Sequence, residues 1–217
     1  SPGPAPRLAL AEAISDFLGS GVDLDFHDVA GYTDPVIVRN ALSRNGYRGD
    51  ISEKVVTGII DHYLDLVVDR LPQSNGVSVF PGAEMLVRAC QAENWITGLL
   101  TGNVRKGAQT KLNGTGLWNL FAFGVFGEDG NGREDLPWIA LERAWDITAE
   151  SFRPENTIII GDTPNDARIA ARNNMKSLIV CRRPEPEWRE SIMAQNPTWI
   201  IDDFNDTQAI INRLKQG

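Results

Sequence analysis

The apolar positions of this 217-residue chain follow two different rhythms. Up to about residue 71 they recur at helical spacing. Leu8 to Leu18 forms a first stretch, which Gly19 and Gly21 end. Asp34-Pro35 opens a second, with Asp34 as N-cap and Pro35 at the first helical position, and it runs to about Asn45-Gly46. Ser52 to Arg70 makes a third and longer one. Its residues Val55, Val56, Ile59, Ile60, Tyr63, Leu64, Val67 and Val68 fall on one stripe. Residues 8–71 therefore read as all-helical.

From about residue 79, short apolar runs alternate with helical stretches. Strands are expected at Trp95–Leu100, Phe123–Phe126, Thr157–Ile160, Ser177–Val180 and Trp199–Ile201. Helices are expected at Gly82–Asn94, Val104–Asn113, Leu136–Trp145, Pro164–Asn173, Pro186–Gln195 and Asp206–Lys215. Continuous apolar strands alternating with helices imply a parallel sheet covered on both faces. The fold class is therefore α/β, a Rossmann-like core accompanied by a helical domain. The chain divides into a linker at 1–7, a helical domain at 8–78 and the core at 79–217. The opening SPGPAPR, rich in proline, reads as a linker that follows an earlier segment.

Composition narrows the chemistry. A formal net charge of -8 leaves no basic surface for nucleic acid, so no nucleic-acid partner is expected. An anionic small substrate stays compatible, because one metal ion reverses a local field. No apolar run reaches membrane-spanning length, and no membrane partner is expected. Cys90 and Cys181 form no CxxC pair and read as buried thiols in a reducing, cytoplasmic compartment. His27 and His62 have no second ligand at zinc spacing. Trp95, Trp138 and Trp145 fall at positions that suit core packing.

Two strand ends carry the candidate chemistry. In Leu99 to Asn103, LLTGN, a hydroxyl, a glycine and an amide sit where a strand gives way to a helix N-terminus. Such a turn offers N–H groups and a hydroxyl to an anion, although taken alone a Thr-Gly-Asn turn is more often plain capping. In Thr157 to Asp166, TIIIGDTPND, Asp162 follows the strand and Asp166 opens the next helix. Two carboxylates above a sheet edge suit Mg²⁺, which takes one or two carboxylates and keeps several waters. Gly161 allows a close approach. The simpler alternative is that both aspartates only cap a helix.

Taken together, these stretches resemble a family. Thr101-Gly102-Asn103 is similar to the second motif of the haloacid dehalogenase-like hydrolases, and Gly161 to Asp166 to their fourth motif, GDxxxD. The wider TGNVRKGAQTKL and GDTPNDARIAARNN resemble the phosphoglycolate-phosphatase-like branch. In that branch a helical cap is inserted between the first and second motifs, and residues 8–71, with AGYTDP, look like that cap. The resemblance implies Mg²⁺-dependent hydrolysis of a small phosphorylated metabolite. An aspartate attacks phosphorus, an aspartyl-phosphate forms, and water breaks it. It implies that Asp162 is a metal ligand and Asp166 a ligand or its support. Thr101, Gly102 and Asn103 would hold the phosphoryl oxygens.

The chain departs from the family at two points. The third motif is a lysine, yet none lies between Lys111 and Asp162. Arg133, after the Phe123–Phe126 strand, is the best-placed cation, the alternative being a solvated loop charge. The first motif, an apolar strand followed by DxDGT, carries the nucleophile, and nothing before Leu8 fits it. Asp23-Leu24-Asp25 contains a DxD, but Gly19-Ser20-Gly21 precedes it, and it reads as a polar loop between cap helices. The missing strand would be central, between those ending at Leu100 and Ile160. The expectation is that an upstream segment carries the nucleophile and that this stretch alone is inactive. Two other readings stay open: a non-catalytic relative that binds a phosphorylated ligand or partner, and a phosphomutase on the same scaffold.

Overall fold

In the computed structural model, which describes residues 3–70 and 77–216, the two rhythms become two compact units. One comprises residues 1–78, 101–118 and 126–132; the other comprises 79–100, 119–125 and 133–217. Ser1 and Pro2 of the expected linker, Gly217, and the expected domain boundary around 71–76 lie outside the described residues.

The first unit is helical. It contains α1 (Ala5–Leu18), α2 (Phe26–Val29), α3 (Asp34–Arg44), α4 (Glu53–Arg70) and α6 (Arg105–Leu112). Its core joins Ala9, Leu10, Ala13 and Ile14 of α1 to Ile37, Val38, Ala41 and Leu42 of α3. The α4 stripe of Val56, Ile59, Ile60, Tyr63, Leu64 and Val67 closes the same cluster. Each large apolar side chain buried this way stabilises the unit by about 1.5–3 kcal/mol.

Three details differ from the sequence reading. First, α1 starts at Ala5 and not at Leu8, because Pro6 occupies the first turn, where its missing N–H has no helical partner to lose. Second, Thr33 and not Asp34 is the N-cap residue of α3, so Asp34 already lies inside the helix. Third, the loop at 26–29 closes into the short α2. Asp25 is its N-cap: Asp28 N–H donates to Asp25 Oδ1 at 2.9 Å, and Asp25 N–H donates to Asp28 Oδ2 at 2.8 Å.

The second unit is α/β. Its helices are α5 (Ala83–Ala92), α7 (Leu136–Thr148), α8 (Pro164–Arg172), α9 (Pro186–Met193) and α10 (Thr207–Gln216). Its strands are β1 (Gly98–Leu100), β2 (Phe123–Val125), β3 (Ile158–Gly161), β4 (Lys176–Val180) and β5 (Trp199–Ile201). All pairings are parallel, in the orders β1-β2 and β3-β4-β5. Strand β4 shows why helices must cover both faces. Leu178 and Val180 pack with Leu86, Ile210, Ile211 and Leu214 of α5 and α10. Ile179 packs the opposite way, with Ala167 of α8 and Ile192 of α9. Alternate side chains of a strand point to opposite faces, and here each face meets its own helices.

The strands next to the absent position differ. Among the described residues β1 pairs only with β2, and β3 only with β4, which fits the missing first strand. Ile160 of β3 is 41% exposed, whereas Leu178 and Ile179 of β4 are fully buried. Leu100 and Ile159 nevertheless share a small cluster with Ile169, Ala170 and Met175. Trp138 and Trp145, expected in the core, are 51% and 54% exposed on α7. Helical spacing placed them, and it does not distinguish the buried face from its flank. Cys90 and Cys181 are buried free thiols. No helix among the described residues is long and apolar enough to cross a membrane.

Candidate functional site

The second-motif turn belongs to the helical unit. Thr101 Oγ1 accepts from Asn103 N–H at 3.2 Å and from Asn103 Nδ2 at 2.8 Å. Asn103 Oδ1 in turn accepts from Lys111 Nζ, which also donates to the Tyr63 hydroxyl at 2.9 Å. Thr101, Asn103 and Lys111 therefore form one hydrogen-bonded row ending in an ammonium group. Gly102 is buried, and its carbonyl accepts from Asp34 N–H at 2.8 Å. Asp34 Oδ2 accepts from Val104 N–H at 2.9 Å, across 70 residues of sequence. One residue of α3 thus pins the turn on both sides. A Cβ on Gly127 would overlap the Gly102 carbonyl and approach the Thr33 side chain at 3.1 Å, so glycine is required there. The Thr33 hydroxyl is buried with no hydrogen-bond partner among the described residues.

Burial sets the electrostatics of this turn. It pushes the Asp34 carboxyl above its ordinary range, with the Lys111 charge and the Val104 N–H pulling back. It also lowers the Lys111 ammonium, with Asp34 opposing. Tyr63 is raised by burial and by the charge of Asp34, so its hydroxyl stays protonated.

The fourth-motif turn belongs to the α/β unit and is locked by one carboxylate. Asp166 Oδ2 accepts from Thr163 Oγ1 at 2.8 Å, Thr163 N–H at 3.0 Å and Asp162 N–H at 3.2 Å. Thr163 Oγ1 accepts from Asp166 N–H at 3.2 Å, which completes a capping box at the start of α8. Asp166 Oδ1 accepts from Arg133 Nη2 at 2.6 Å, in a pair whose side chains are 16% and 4% exposed. Arg133 is therefore not a solvated loop charge. Its Nε is buried without a partner among the described residues. A Cβ on Gly161 would overlap the Asp166 carboxylate, so this glycine makes the close approach that the sequence suggests.

Asp162 is the member left over. It is exposed, and among the described residues no other side chain bonds its carboxylate. Burial of its carboxyl group among neighbouring residues raises its pKa, and Asp166 adds to the rise, while Arg133 and Arg183 lower it. Its carboxylate fits a hard cation that takes one protein carboxylate and completes its shell with water and substrate. Asp166 has spent both oxygens on Arg133 and Thr163, so it fits the supporting role better than direct coordination. No group of three or more His, Cys, Asp or Glu side chains at metal-binding distance occurs among the described residues.

Sequence reasoning missed two participants. Lys111 lies eight residues beyond Asn103, near the end of the helix that the turn leads into. That spacing is a usable signal, because a long side chain late in a short helix can reach back to the turn that starts it. Asp34 looked like an ordinary cap, and no local pattern reveals a partner 70 residues away. Asp23 and Asp25 remain in the loop that leads into α2, with Asp25 engaged as its cap.

A profile of haloacid dehalogenase-like hydrolases matches residues 26–180. Among sequence relatives, the phosphoglycolate phosphatase of Cereibacter sphaeroides is 31% identical, over 77% of this chain and 66% of its own length. That of Synechococcus elongatus is 24% identical, over 68% and 65%. The chain thus spans just under two thirds of these relatives' length. Among solved structures, a β-phosphoglucomutase from Clostridium difficile aligns with a TM-score of 0.71 at 18% identity, over 100% of this chain and 92% of that one. CbbY from Rhodobacter sphaeroides, in complex with phosphate, aligns with 0.70 at 15%, over 93% and 88%. At those identities the likeness shows the fold alone. The profile match, running from the first residue of α2 to the last of β4, shows that the chain belongs to the haloacid dehalogenase-like hydrolases.

Proposed function

We propose that this protein hydrolyses phosphomonoesters of small metabolites with Mg²⁺, by way of an aspartyl-phosphate. The observation that carries the reading is the fourth-motif turn. There Arg133, Thr163 and Asp166 satisfy one another and leave the Asp162 carboxylate exposed and unspent. The names of the sequence relatives support phosphoglycolate as the first substrate to try.

In this reading Asp162 holds the ion, and Asp166 fixes the turn that presents it. When bound, Mg²⁺ offsets the charge between an attacking carboxylate and a phosphoryl group. Thr101 and Asn103 donate to phosphoryl oxygens at the N-terminus of α6, helped by the helix dipole. Lys111, anchored on Asn103, supplies the cation that the resemblance assigns to the third motif. Arg133 acts through Asp166 as a positioning residue. Residues 8–78 serve as the cap of a core at 79–217. The nucleophile is a carboxylate on a further strand, for which β1 and β3 keep unpaired edges among the described residues. Asp25, tied to the start of α2, is a poor candidate for that role.

The test is phosphate release from 2-phosphoglycolate and 4-nitrophenyl phosphate, with Mg²⁺ and with EDTA. It uses the protein together with whatever residues its gene encodes ahead of Ser1. Release that needs Mg²⁺ and is lost in Asp162→Asn supports the proposal. No release from either ester, or release indifferent to EDTA, contradicts it.

A further inference from the structure

Helix α6 breaks a rule of helix charge. It opens with Arg105 and Lys106 and has no acid in its first turn. The positive end of the helix dipole disfavours cations, which sequences place at the opposite end. Departures from local preference gather at functional positions, where something else offsets their cost. Both side chains are exposed. Among the described residues neither the Arg105 guanidinium nor the Lys106 ammonium has a hydrogen-bond or ion-pair partner.

Stacking is what holds Arg105. Its guanidinium lies 4.3 Å from the centroid of the Phe126 ring. Phe126 stacks in turn on Trp118, with centroids 6.0 Å and planes 27° apart, and it is 1% exposed. The platform under the guanidinium is therefore fixed. It is also tied to the second-motif turn, because the next residue, Gly127, donates its N–H to the Asn103 carbonyl at 2.8 Å. Side chains of a helix lean toward its N-terminus, which directs Arg105 back toward that turn. Stacking occupies a face of the guanidinium and leaves its N–H edge for an oxyanion.

The acids close to this edge are committed to backbone. Both oxygens of Glu128 accept from the Arg105 backbone N–H, at 2.8 and 3.1 Å. Glu128 thus replaces the acid missing from the first turn and compensates the dipole, without pairing with the guanidinium. Asp129 Oδ2 accepts from Phe126 N–H at 2.8 Å, and Asp129 pairs with neither cation. The N–H edge of Arg105 stays unfilled.

We infer, resting on the function proposed above, that Arg105 reads a second oxyanion on the substrate whose phosphoryl group Thr101 and Asn103 hold. The substrate class is then phosphomonoesters that carry a carboxylate or a further phosphate a few bonds from the scissile one.

The test compares 2-phosphoglycolate, 1,2-ethanediol bisphosphate and 2-hydroxyethyl phosphate, which share one carbon frame. It uses wild type, Arg105→Gln and Arg105→Lys, each with whatever residues the gene encodes ahead of Ser1. Two quantities are read: kcat/KM with Mg²⁺, and Kd by calorimetry in EDTA. Wild type should favour one or both doubly anionic esters over 2-hydroxyethyl phosphate by about tenfold or more, the scale of one charge-assisted hydrogen bond. Arg105→Gln should lose that preference, mainly through KM, and Arg105→Lys should keep part of it. The pattern between the two anionic esters identifies the group that is read. The readout is a ratio within each variant, so a loss of folded protein moves all three esters together. Equal handling of the three esters by wild type, or a preference that survives in Arg105→Gln, overturns the proposal while leaving the hydrolase reading intact. If no ester is hydrolysed, the hydrolase reading falls, and the calorimetric ratios decide the role of Arg105 by the same two criteria.

Discussion

The two strand-end turns look alike in sequence and are built in opposite ways. The fourth-motif turn is held from within. Four donors converge on the Asp166 carboxylate, three from residues 162–163 and one from Arg133. The second-motif turn is held from far along the chain. Asp34 of α3 bonds on both sides of it, and Lys111 of α6 anchors its amide. The first arrangement is rigid by local bonding and frees one carboxylate. The second borrows its order from a helical unit, which ties the order of this turn to the packing of α3, α4 and α6.

The largest expected effect separates the two designs. Asp166→Ala leaves the Arg133 guanidinium buried without its counter-charge and strips three further donors of their acceptor. It should cost about 3–5 kcal/mol of stability in denaturant unfolding. Thr163→Ala, which removes only the cap hydroxyl, should cost about 1 kcal/mol. Equal losses from the two would mean that the Arg133 pair contributes nothing.

Lys111→Met should act on both rate and stability. Relief of the buried ammonium offsets part of the loss, but Asn103 Oδ1 and the Tyr63 hydroxyl lose a donor and buried Asp34 loses a nearby positive charge, so unfolding should cost about 1–3 kcal/mol less. Phosphate release should fall by about 100-fold, the scale for removing one charge-stabilising donor. A fall in release with an unchanged denaturation midpoint would mean that these buried partners find other donors.

Much of this was legible in the sequence because it is local. The fold class, the order of the elements and the GDTPND turn follow from periodicity, parallel-strand composition and capping chemistry within a few residues. The Asp34–Val104 bond, the Lys111 anchor and the exposure of Trp138 and Trp145 were not legible. They depend on which helix faces meet, and no window along the chain contains that information. The pairing of Arg133 with Asp166 falls between. The residue could be nominated from its place after β2, but its partner came only with the fold.

A smaller effect probes the long-range hold on the second turn. Asp34→Ala deprives the buried Val104 N–H of its acceptor and should cost about 1–3 kcal/mol, whereas Asp34→Asn retains an acceptor and should cost less. The smallest effect is in pH. Burial raises the Asp34 pKa in the folded state, so between its unfolded and folded values the folded protein binds more protons. The stability contributed by this group therefore rises as pH falls through that window, and levels off below about pH 4, the ordinary carboxylate value. Subtracting the Asp34→Asn profile isolates this trend. A contribution that instead falls with falling pH would mean that Asp34 is a stabilised carboxylate.

The most direct measurement is the Mg²⁺ concentration for half-maximal phosphate release, in wild type, Asp162→Asn and Lys111→Met. In the proposed function the metal belongs to one turn and the phosphoryl group to the other. Asp162→Asn should therefore raise the Mg²⁺ requirement strongly or abolish release. Lys111→Met should lower the rate at an unchanged requirement. A requirement shifted by Lys111→Met, or left alone by Asp162→Asn, would contradict the division of labour between the two turns.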